Sequence, residues 1–454
     1  MLLLLLTLAG APAPSPVGQA PASTPGSVPA GPAAADVLTL SIADAVQRAL
    51  AHNLRVLEAE QDQAHAEGTR RAALSALLPQ VGAHLSETRQ TLNLESFGFP
   101  LPGIPPLAGP FNLFDSRVSV SQSVFDLHRL NTARADASNL AAARFDYRSA
   151  RDLVVVATAN AYLQVLAASA RAEAARAQRE TADALHHQAE SLKASGLIAG
   201  IDVVRADVRL STERQRATAA EAAFQKARLE LARVIGLPAR QRFTVQPVPF
   251  AAAPGVTPDQ AVARAEKARP DIKAAAARVE TAVLQRKAAL GEALPSARVA
   301  ADYGPTGLSV GSARATYRAV GELSIPIFQG GRVQGKLAEA DADLAKRRME
   351  LDDLRASITY TVDAAFLDLR STEEQYHVAT RGQELAELQL TQARDRFAAG
   401  VASNIEVVQA QEAVALAAEQ VIDSLYRFNA AKVVLAHTMG EGEALLPAYL
   451  RGQQ

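Results

Sequence analysis

Two ten-residue segments decide the fold of this chain: RRAALSALLP at Arg70–Pro79 and RKAALGEALP at Arg286–Pro295. They lie 216 positions apart, and each closes a helical pattern on Leu-Pro. A second pair of similar segments, Ser195–Val204 and Ala399–Val408, lies 204 positions apart. Each copy therefore spans roughly 200 residues, far more than the 20–50 residues of solenoid repeats. The sequence predicts an internal duplication, with two matched halves of one architecture.

The composition favours an elongated helical protein. Alanine is abundant, tryptophan is absent and aromatic residues make up 5% of the 454 positions, so close helix packing is favoured over a thick core. The 47 basic and 48 acidic residues nearly cancel, which gives no electrostatic footprint for nucleic acid. The absence of cysteine excludes a disulfide framework, a thiolate metal site and a catalytic thiol.

The first 37 residues are predicted to precede the folded part. MLLLLLTLAG resembles the apolar core of a signal peptide, although no Lys or Arg precedes the leucines. The Pro- and Ala-rich segment that follows is typical of an unstructured leader. We expect the fold to begin near Leu38 with a helix over Ser41–Leu78, which Pro79 ends.

Strands follow the Leu-Pro in each copy. Val118, Val120 and Val124 alternate with serines, the period of a strand with one apolar and one polar face. We predict two strands within 79–125, separated by a loop over Thr91–Phe114, and two more within 296–328. Each is predicted to have about the 9–11 residues that cross a bilayer as a tilted strand.

Long helices complete each copy. Leu127–Ser195 contains no Gly or Pro, and as one helix it would be roughly 100 Å long. Lys336–Ala399 is its counterpart, and helices over Asp202–Ile235 and Glu406–Met439 follow the two breaks. These lengths predict matched antiparallel hairpins. The uncharged segment Leu153–Ala170 is near the lower limit for a transmembrane helix, but its polar residues favour a buried packing seam.

Four amphipathic strands cannot span a membrane alone, because the edges of an open sheet are not hydrogen-bonded in hydrocarbon. Several chains that share one closed barrel remove those edges. We therefore expect a mainly α fold with a small transmembrane β part, in which helical hairpins form an α-barrel and four strands per chain enter a β-barrel shared by several chains.

The chain resembles the TolC-like outer membrane efflux proteins, the outer membrane components of tripartite efflux and type I secretion systems. The resemblance rests on Leu78-Pro79, Leu294-Pro295, the strand exit Ser324–Gly331 and the two turns at 196–203 and 400–407. It implies a homotrimer in the outer membrane of a Gram-negative-type cell, with a periplasmic extension. It also implies repeats over 38–240 and 258–440, an equatorial linker over 241–257 and a tail over 441–454.

The resemblance further implies an exit duct that meets outer membrane lipid, a periplasmic adaptor and an inner-membrane pump. The rival interpretation is a non-channel periplasmic coiled-coil adaptor or scaffold. By resemblance, the hairpin tips contact the adaptor: Ser195, Gly196, Leu197, Ala399, Gly400 and Val401. The pore entrance is assigned to Asp202, Glu406 and Gln409, and the alternative for the two acids is a helix-capping role.

Two further motifs resemble ligand-binding sites but lack features that such sites need. GGRVQGK at Gly330–Lys336 nearly matches a phosphate loop, but Leu337 stands where the Mg²⁺ ligand is needed. Gly330 and Gly331 are instead predicted to form the strand-to-helix bend. His186 and His187 point about 100° apart on a helix, so we expect them to be solvated. We predict no enzyme activity, cofactor or metal site.

Overall fold

A computed structural model of the chain describes residues 26–29, 31–32, 36–98, 105–238, 240–253, 255–399, 401 and 404–444. The predictions that concern the signal peptide, Gly400 and the tail beyond residue 444 lie outside these residues.

The described part of the chain contains two copies of one order of elements. The first copy and the linker strand comprise β1 Leu38–Leu40, α1 Ile42–His52, α2 Leu54–Ser75, β2 Gln80–Asn93, β3 Leu107–Phe125, α3 Leu127–Ala194, α4 Gly200–Val234 and β4 Phe243–Val245. The second copy comprises α5 Pro258–Ala268, α6 Pro270–Gly291, β5 Ser296–Gly307, β6 Arg314–Ser324, α7 Arg332–Ala398 and α8 Asn404–Thr438.

The lengths of corresponding elements confirm the duplication. Helices α1 and α5 each have 11 residues, and α2 and α6 each have 22. Helices α3 and α7 have 68 and 67 residues, and α4 and α8 each have 35. The fold is thus mainly helical, as predicted, with two long hairpins, α3–α4 and α7–α8.

The single helix predicted over Ser41–Leu78 is wrong, because the helix is broken at Asn53. Asn53 is extended (φ −70°, ψ 129°), and its side chain caps α2 by accepting a hydrogen bond from the Arg55 amide at 3.0 Å. The second copy breaks at the equivalent place, where Pro270 starts α6. A proline at that position disfavours a helical conformation for the preceding residue, so the second copy carried the signal for the break in the first.

The strand boundaries also differ from the prediction. The β2–β3 pairing reaches Asn93 and Leu107, so both ends of the loop predicted over Thr91–Phe114 belong to the strand ladder. In the second copy the strand ends at Ser324 rather than continuing to Ile327. Pro326 has no amide hydrogen with which to continue the ladder, and seven residues therefore separate β6 from α7, compared with one between β3 and α3.

The core lies where the hairpins meet the small β1–β4 sheet. Strands β1 and β4 pair in parallel, Leu38 opposite Phe243. The buried Tyr162 hydroxyl lies 2.9 Å from the Leu40 carbonyl oxygen and 2.8 Å from that of Gln246. By length and composition α3 is the one described helix that could span a membrane, with 56% of its most apolar window buried. The uncharged segment Leu153–Ala170 of α3 contributes Val155, Tyr162 and Leu163 to the core, as the packing interpretation predicted.

A basic residue recurs at matched positions of α4 and α8, and each one holds the linker. Arg228 donates a hydrogen bond to the Phe243 carbonyl at 3.2 Å, and Lys432 donates one to the Ala251 carbonyl at 3.0 Å. Each cation also lies over an aromatic ring one helical turn earlier, Arg228 over Phe224 and Lys432 over Phe428. Burial lowers the pKa of Lys432 to about 8. The duplication therefore extends to the contacts that fix the segment between the two copies.

Gly440, just beyond the end of α8, gives a prediction for stability. Its φ is +73°, and a Cβ added there would lie 2.7 Å from the Arg269 backbone. We expect Gly440→Ala to destabilise the protein by about 2 kcal/mol or more, because left-handed backbone strain and overlap add. Gly382→Ala is the matched control, since Gly382 is helical with open space around it and should gain about 0.5–1 kcal/mol. Thermal unfolding followed by circular dichroism measures both; equal effects would contradict the prediction.

Candidate functional site

The four-stranded sheet has one apolar face. The strand order is β2-β3-β5-β6, antiparallel throughout. Val120 lies between Val81 and Ala301, and Val118 between Ala83 and Tyr303. Further residues of this face are Leu85, Val299, Tyr317, Ala319 and Leu323. Many of its large side chains are exposed, which is unfavourable in water and favourable against lipid.

The opposite face of the sheet is polar and charged. Asp302 on β5 accepts hydrogen bonds from Arg117 on β3 at 2.6 Å and from Arg318 on β6 at 3.1 Å. The same face carries His84, Ser119, Ser121, Arg298 and Glu322. In the part of the sheet around Val118 and Val120, this alternation of apolar and polar residues is the pattern of a membrane barrel with an aqueous interior.

The sheet is open. Within the residues that the structure describes, β2 and β6 each pair on one side only. Unpaired amide and carbonyl groups cannot be satisfied by lipid, so the two edges need partner strands if the apolar face lies in a membrane.

The described residues of the two hairpin tips share one backbone hydrogen bond. Ser195 ends α3, Gly196 follows with φ +73°, and the Leu197 amide donates to the Leu192 carbonyl at 2.9 Å. At the second tip Ala399 ends α7, and the Val401 amide donates to the Arg396 carbonyl at 3.0 Å. This six-residue closure is the Schellman motif. Leu197 and Val401 are 70% and 69% exposed, so each tip presents one apolar side chain to solvent.

The three predicted entrance residues lie near these tips. Asp202 is in the first turn of α4 and pairs with Arg205 at 3.1 Å; Glu406 is in the first turn of α8 and pairs with Arg396 at 3.5 Å. Gln409 is exposed. Asp202 is not the N-cap of α4, because Ala199 holds that position without a side-chain hydrogen bond. The acids stay placed to interact with the helix dipole.

An ionic network joins the two hairpins further from the tips, and the sequence analysis missed it. Glu412 on α8 pairs with Arg209 of α4, and it also pairs with Arg216 of α4 at 3.0 Å. Both arginines also contact Glu213, at 3.0 and 3.1 Å. Glu213 is only 2% exposed. Two arginines therefore share two carboxylates, and Glu412 is the member contributed by the second hairpin.

The repeat comparison could not reveal this network, because the copies differ there. Positions 204 residues after Arg209 and Glu213 hold Ala413 and Ala417. The available signal was the spacing of Arg209, Glu213 and Arg216 on one face of α4, but the partner on α8 depends on how the hairpins pack.

The near-match to a phosphate loop has a structural role. Gly330 and Gly331 have φ values of +57° and +83° and lie immediately before α7. Lys336 donates to Glu292 at 2.6 Å, as does Arg332 at 2.7 Å. The lysine is thus engaged with a carboxylate at the end of α6, and the two glycines have the conformation that the predicted bend requires.

His187, which is predicted to be solvated, is exposed, whereas His186 is half-buried. Together with Glu190 they place ligand atoms within 4.8 Å of one another. The two imidazoles diverge around the helix, and the Glu190 carboxylate one turn later lies between them.

Comparison with known proteins is consistent over most of the chain. The family model for outer membrane efflux proteins matches residues 45–237 and 261–441. The pyoverdine export outer membrane protein OpmQ of Pseudomonas aeruginosa is 25% identical over 413 residues, 87% of this chain and 84% of OpmQ. The alkaline protease secretion protein AprF of the same species is 22% identical over 414 residues, 87% of this chain and 83% of AprF. The crystal structure of the outer membrane protein VceC from Vibrio cholerae superposes with a TM-score of 0.78 at 19% identity, over 88% of this chain and 96% of VceC.

Proposed function

Because the chain belongs to the outer membrane efflux protein family, we propose that it is the trimeric exit duct of a tripartite efflux or secretion system. The family is one of non-enzymatic channels with a helical periplasmic extension. A scaffold without a pore, the rival interpretation, does not require a sheet with one apolar and one charged face.

The two-faced open sheet is the observation that carries this proposal. Three chains supply twelve strands, and β2 of one chain pairs with β6 of the next, so no edge is left in lipid. The apolar face then meets outer membrane lipid, and the charged face around Asp302 lines an aqueous passage. Helices α3 and α7, each roughly 100 Å long at ~1.5 Å per residue, extend that passage across the periplasm.

The hairpin tips are the proposed periplasmic entrance. A threefold axis multiplies Asp202 and Glu406 into two carboxylate rings, which favour hydrated cations at the entrance. Leu197 and Val401 project from matched turns as apolar contacts for a periplasmic adaptor, with the tip residues Ser195 and Ala399 beside them. The adaptor connects the duct to an inner-membrane pump that selects the cargo and supplies the energy.

The tip carboxylates give a prediction for ion selectivity. We expect the double variant Asp202→Asn/Glu406→Gln to lower the permeability ratio of K⁺ over Cl⁻ by roughly twofold or more, because both rings lose their charge. The reversal potential under a KCl gradient in planar bilayers measures this ratio.

Asp207→Asn is the matched control, because Asp207 is exposed on α4 about 140° around the helix from Asp202. It should leave the ratio unchanged. Equal reversal potentials for the wild type and the double variant would contradict a role of these carboxylates in the entrance. They would then act only at the N-termini of their helices.

A further inference from the structure

Four polar side chains near the end of α3 form one cluster on the helix surface. The His187 Nδ1 atom lies 3.2 Å from a Glu190 carboxylate oxygen, and the His186 Nδ1 atom lies 3.8 Å from the same oxygen. On its other side, the His187 Nε2 atom lies 3.6 Å from an Asp183 oxygen. The cluster ends five positions before Ser195, so it lies beside the first hairpin tip.

Helical geometry explains why adjacent histidines converge here. At about 100° per residue, Glu190 lies about 40° around the helix from His186 and about 60° from His187 on the opposite side. The carboxylate therefore sits between the two imidazoles, one turn further along. By the same count Asp183 also lies between them, one turn earlier.

These distances fit a metal ion. Imidazole nitrogens and carboxylate oxygens bind Zn²⁺ at about 2.0–2.2 Å, which places two ligands of a tetrahedral ion about 3.3–3.6 Å apart. The two histidine–glutamate distances of 3.2 and 3.8 Å bracket that range. The ligand atoms already lie within 4.8 Å of one another. Modest side-chain rotations therefore bring all three to the separations that a bound ion requires.

The surroundings orient the second histidine. A metal-bound histidine commonly donates its other ring N–H to a carboxylate, which fixes the tautomer and the ring plane. Asp183 faces the His187 nitrogen that is not directed to Glu190, and Asp183 is itself held by Arg214 of α4 at 3.3 Å. The His186 side chain is 17% exposed, so its rotamers are restricted by packing.

We propose that His186, His187 and Glu190 form a site for a divalent first-row transition ion such as Zn²⁺, Ni²⁺ or Cu²⁺, with Asp183 as the outer carboxylate. Imidazole ligands favour these ions over Mg²⁺ and Ca²⁺. The bound ion joins two successive turns of α3 directly before the tip. Through Asp183 and Arg214 it also reinforces the contact between the two helices of the first hairpin.

The test is a Zn²⁺ titration by calorimetry of the full-length purified oligomer, with its affinity tag removed. We expect saturable binding of one ion per chain. His186→Ala/His187→Ala should weaken binding by about 100-fold or more, and Asp183→Asn by about tenfold. His65→Ala, at an exposed helical histidine, should bind as the wild type does.

Cu²⁺ electron paramagnetic resonance gives a second readout. The spectrum should show coupling to two nitrogens in the wild type and in His65→Ala, and to one in His187→Ala. Circular dichroism and size exclusion verify that each variant is folded. Absence of saturable Zn²⁺ binding to the folded wild type would overturn the proposal, as would unchanged affinity and spectra in the double histidine variant.

Discussion

Replacement of Glu412 by glutamine is expected to raise the resting conductance of the channel several-fold. Glu412 is the one member of the ionic network that α8 contributes, and it holds Arg209 and Arg216 of α4. Glutamine keeps the shape of the side chain but removes its charge. The arginines retain their contacts with Glu213, so a carboxylate of α4 still faces their positive charges while the link between the hairpins is lost.

The expected magnitude follows from the burial of the pair. The Glu412 side chain is 34% exposed, so solvent screening reduces its contribution to about 1–2 kcal/mol per chain. A loss of that size changes an open-to-closed ratio by roughly 5–30-fold. Single-channel recording in planar bilayers measures the change.

Glu387→Gln is the matched control, because Glu387 accepts a hydrogen bond from Gln383 within α7 alone. An equal rise in both variants would show that surface charge, and not the link between hairpins, sets the conductance.

The same network predicts a direction for pH dependence. Hydrogen bonds from Arg216 and Arg209 lower the pKa of Glu412 below its ordinary value of 4.5. A carboxyl with a lowered folded pKa contributes its full stabilisation above the unfolded pKa and loses it as pH falls through the folded pKa. Glu412 should therefore cause no change between about pH 8 and about pH 5. At lower pH the wild type should approach the conductance of Glu412→Gln.

Val120→Arg is expected to abolish assembly in the outer membrane. Val120 lies on the apolar face between Val81 and Ala301, where an arginine meets hydrocarbon. An arginine on a lipid-facing barrel position costs up to roughly 2–4 kcal/mol per chain, and symmetry repeats that penalty in every chain. The amount of heat-resistant oligomer in the outer membrane fraction should fall strongly.

Ser121→Arg is the matched control on the next residue of the same strand. Ser121 lies between Gln80 and Ala300 on the polar face, where an arginine reaches water. Oligomer yield should stay close to the wild type. Equal yields for the two variants would contradict the assignment of the apolar face to lipid.

The duplication made most of the fold predictable from the sequence. Repeated Leu-Pro segments located the strands, and long stretches without Pro located α3 and its counterpart α7. What failed was local: the break at Asn53 depends on a side-chain cap, and the extension of β2 and β3 depends on cross-strand pairing. Neither feature changes the pattern of apolar and polar residues in the first copy.

The candidate sites were less predictable, for physical reasons. Tip residues such as Leu197 and Val401 stand at turns that glycine marks. The contact of Glu412 with Arg209 joins residues 203 positions apart, and it has no equivalent in the other repeat. The convergence of His186 and His187 needed Glu190 to be considered with them.

The most direct test of the exit-duct proposal is the single-channel conductance of the purified oligomer in planar bilayers, recorded for the wild type and for Glu412→Gln. A transmembrane duct predicts discrete conductance steps in the wild type and larger or longer openings in the variant. A folded, reconstituted oligomer that gives no conductance steps in either form would contradict it.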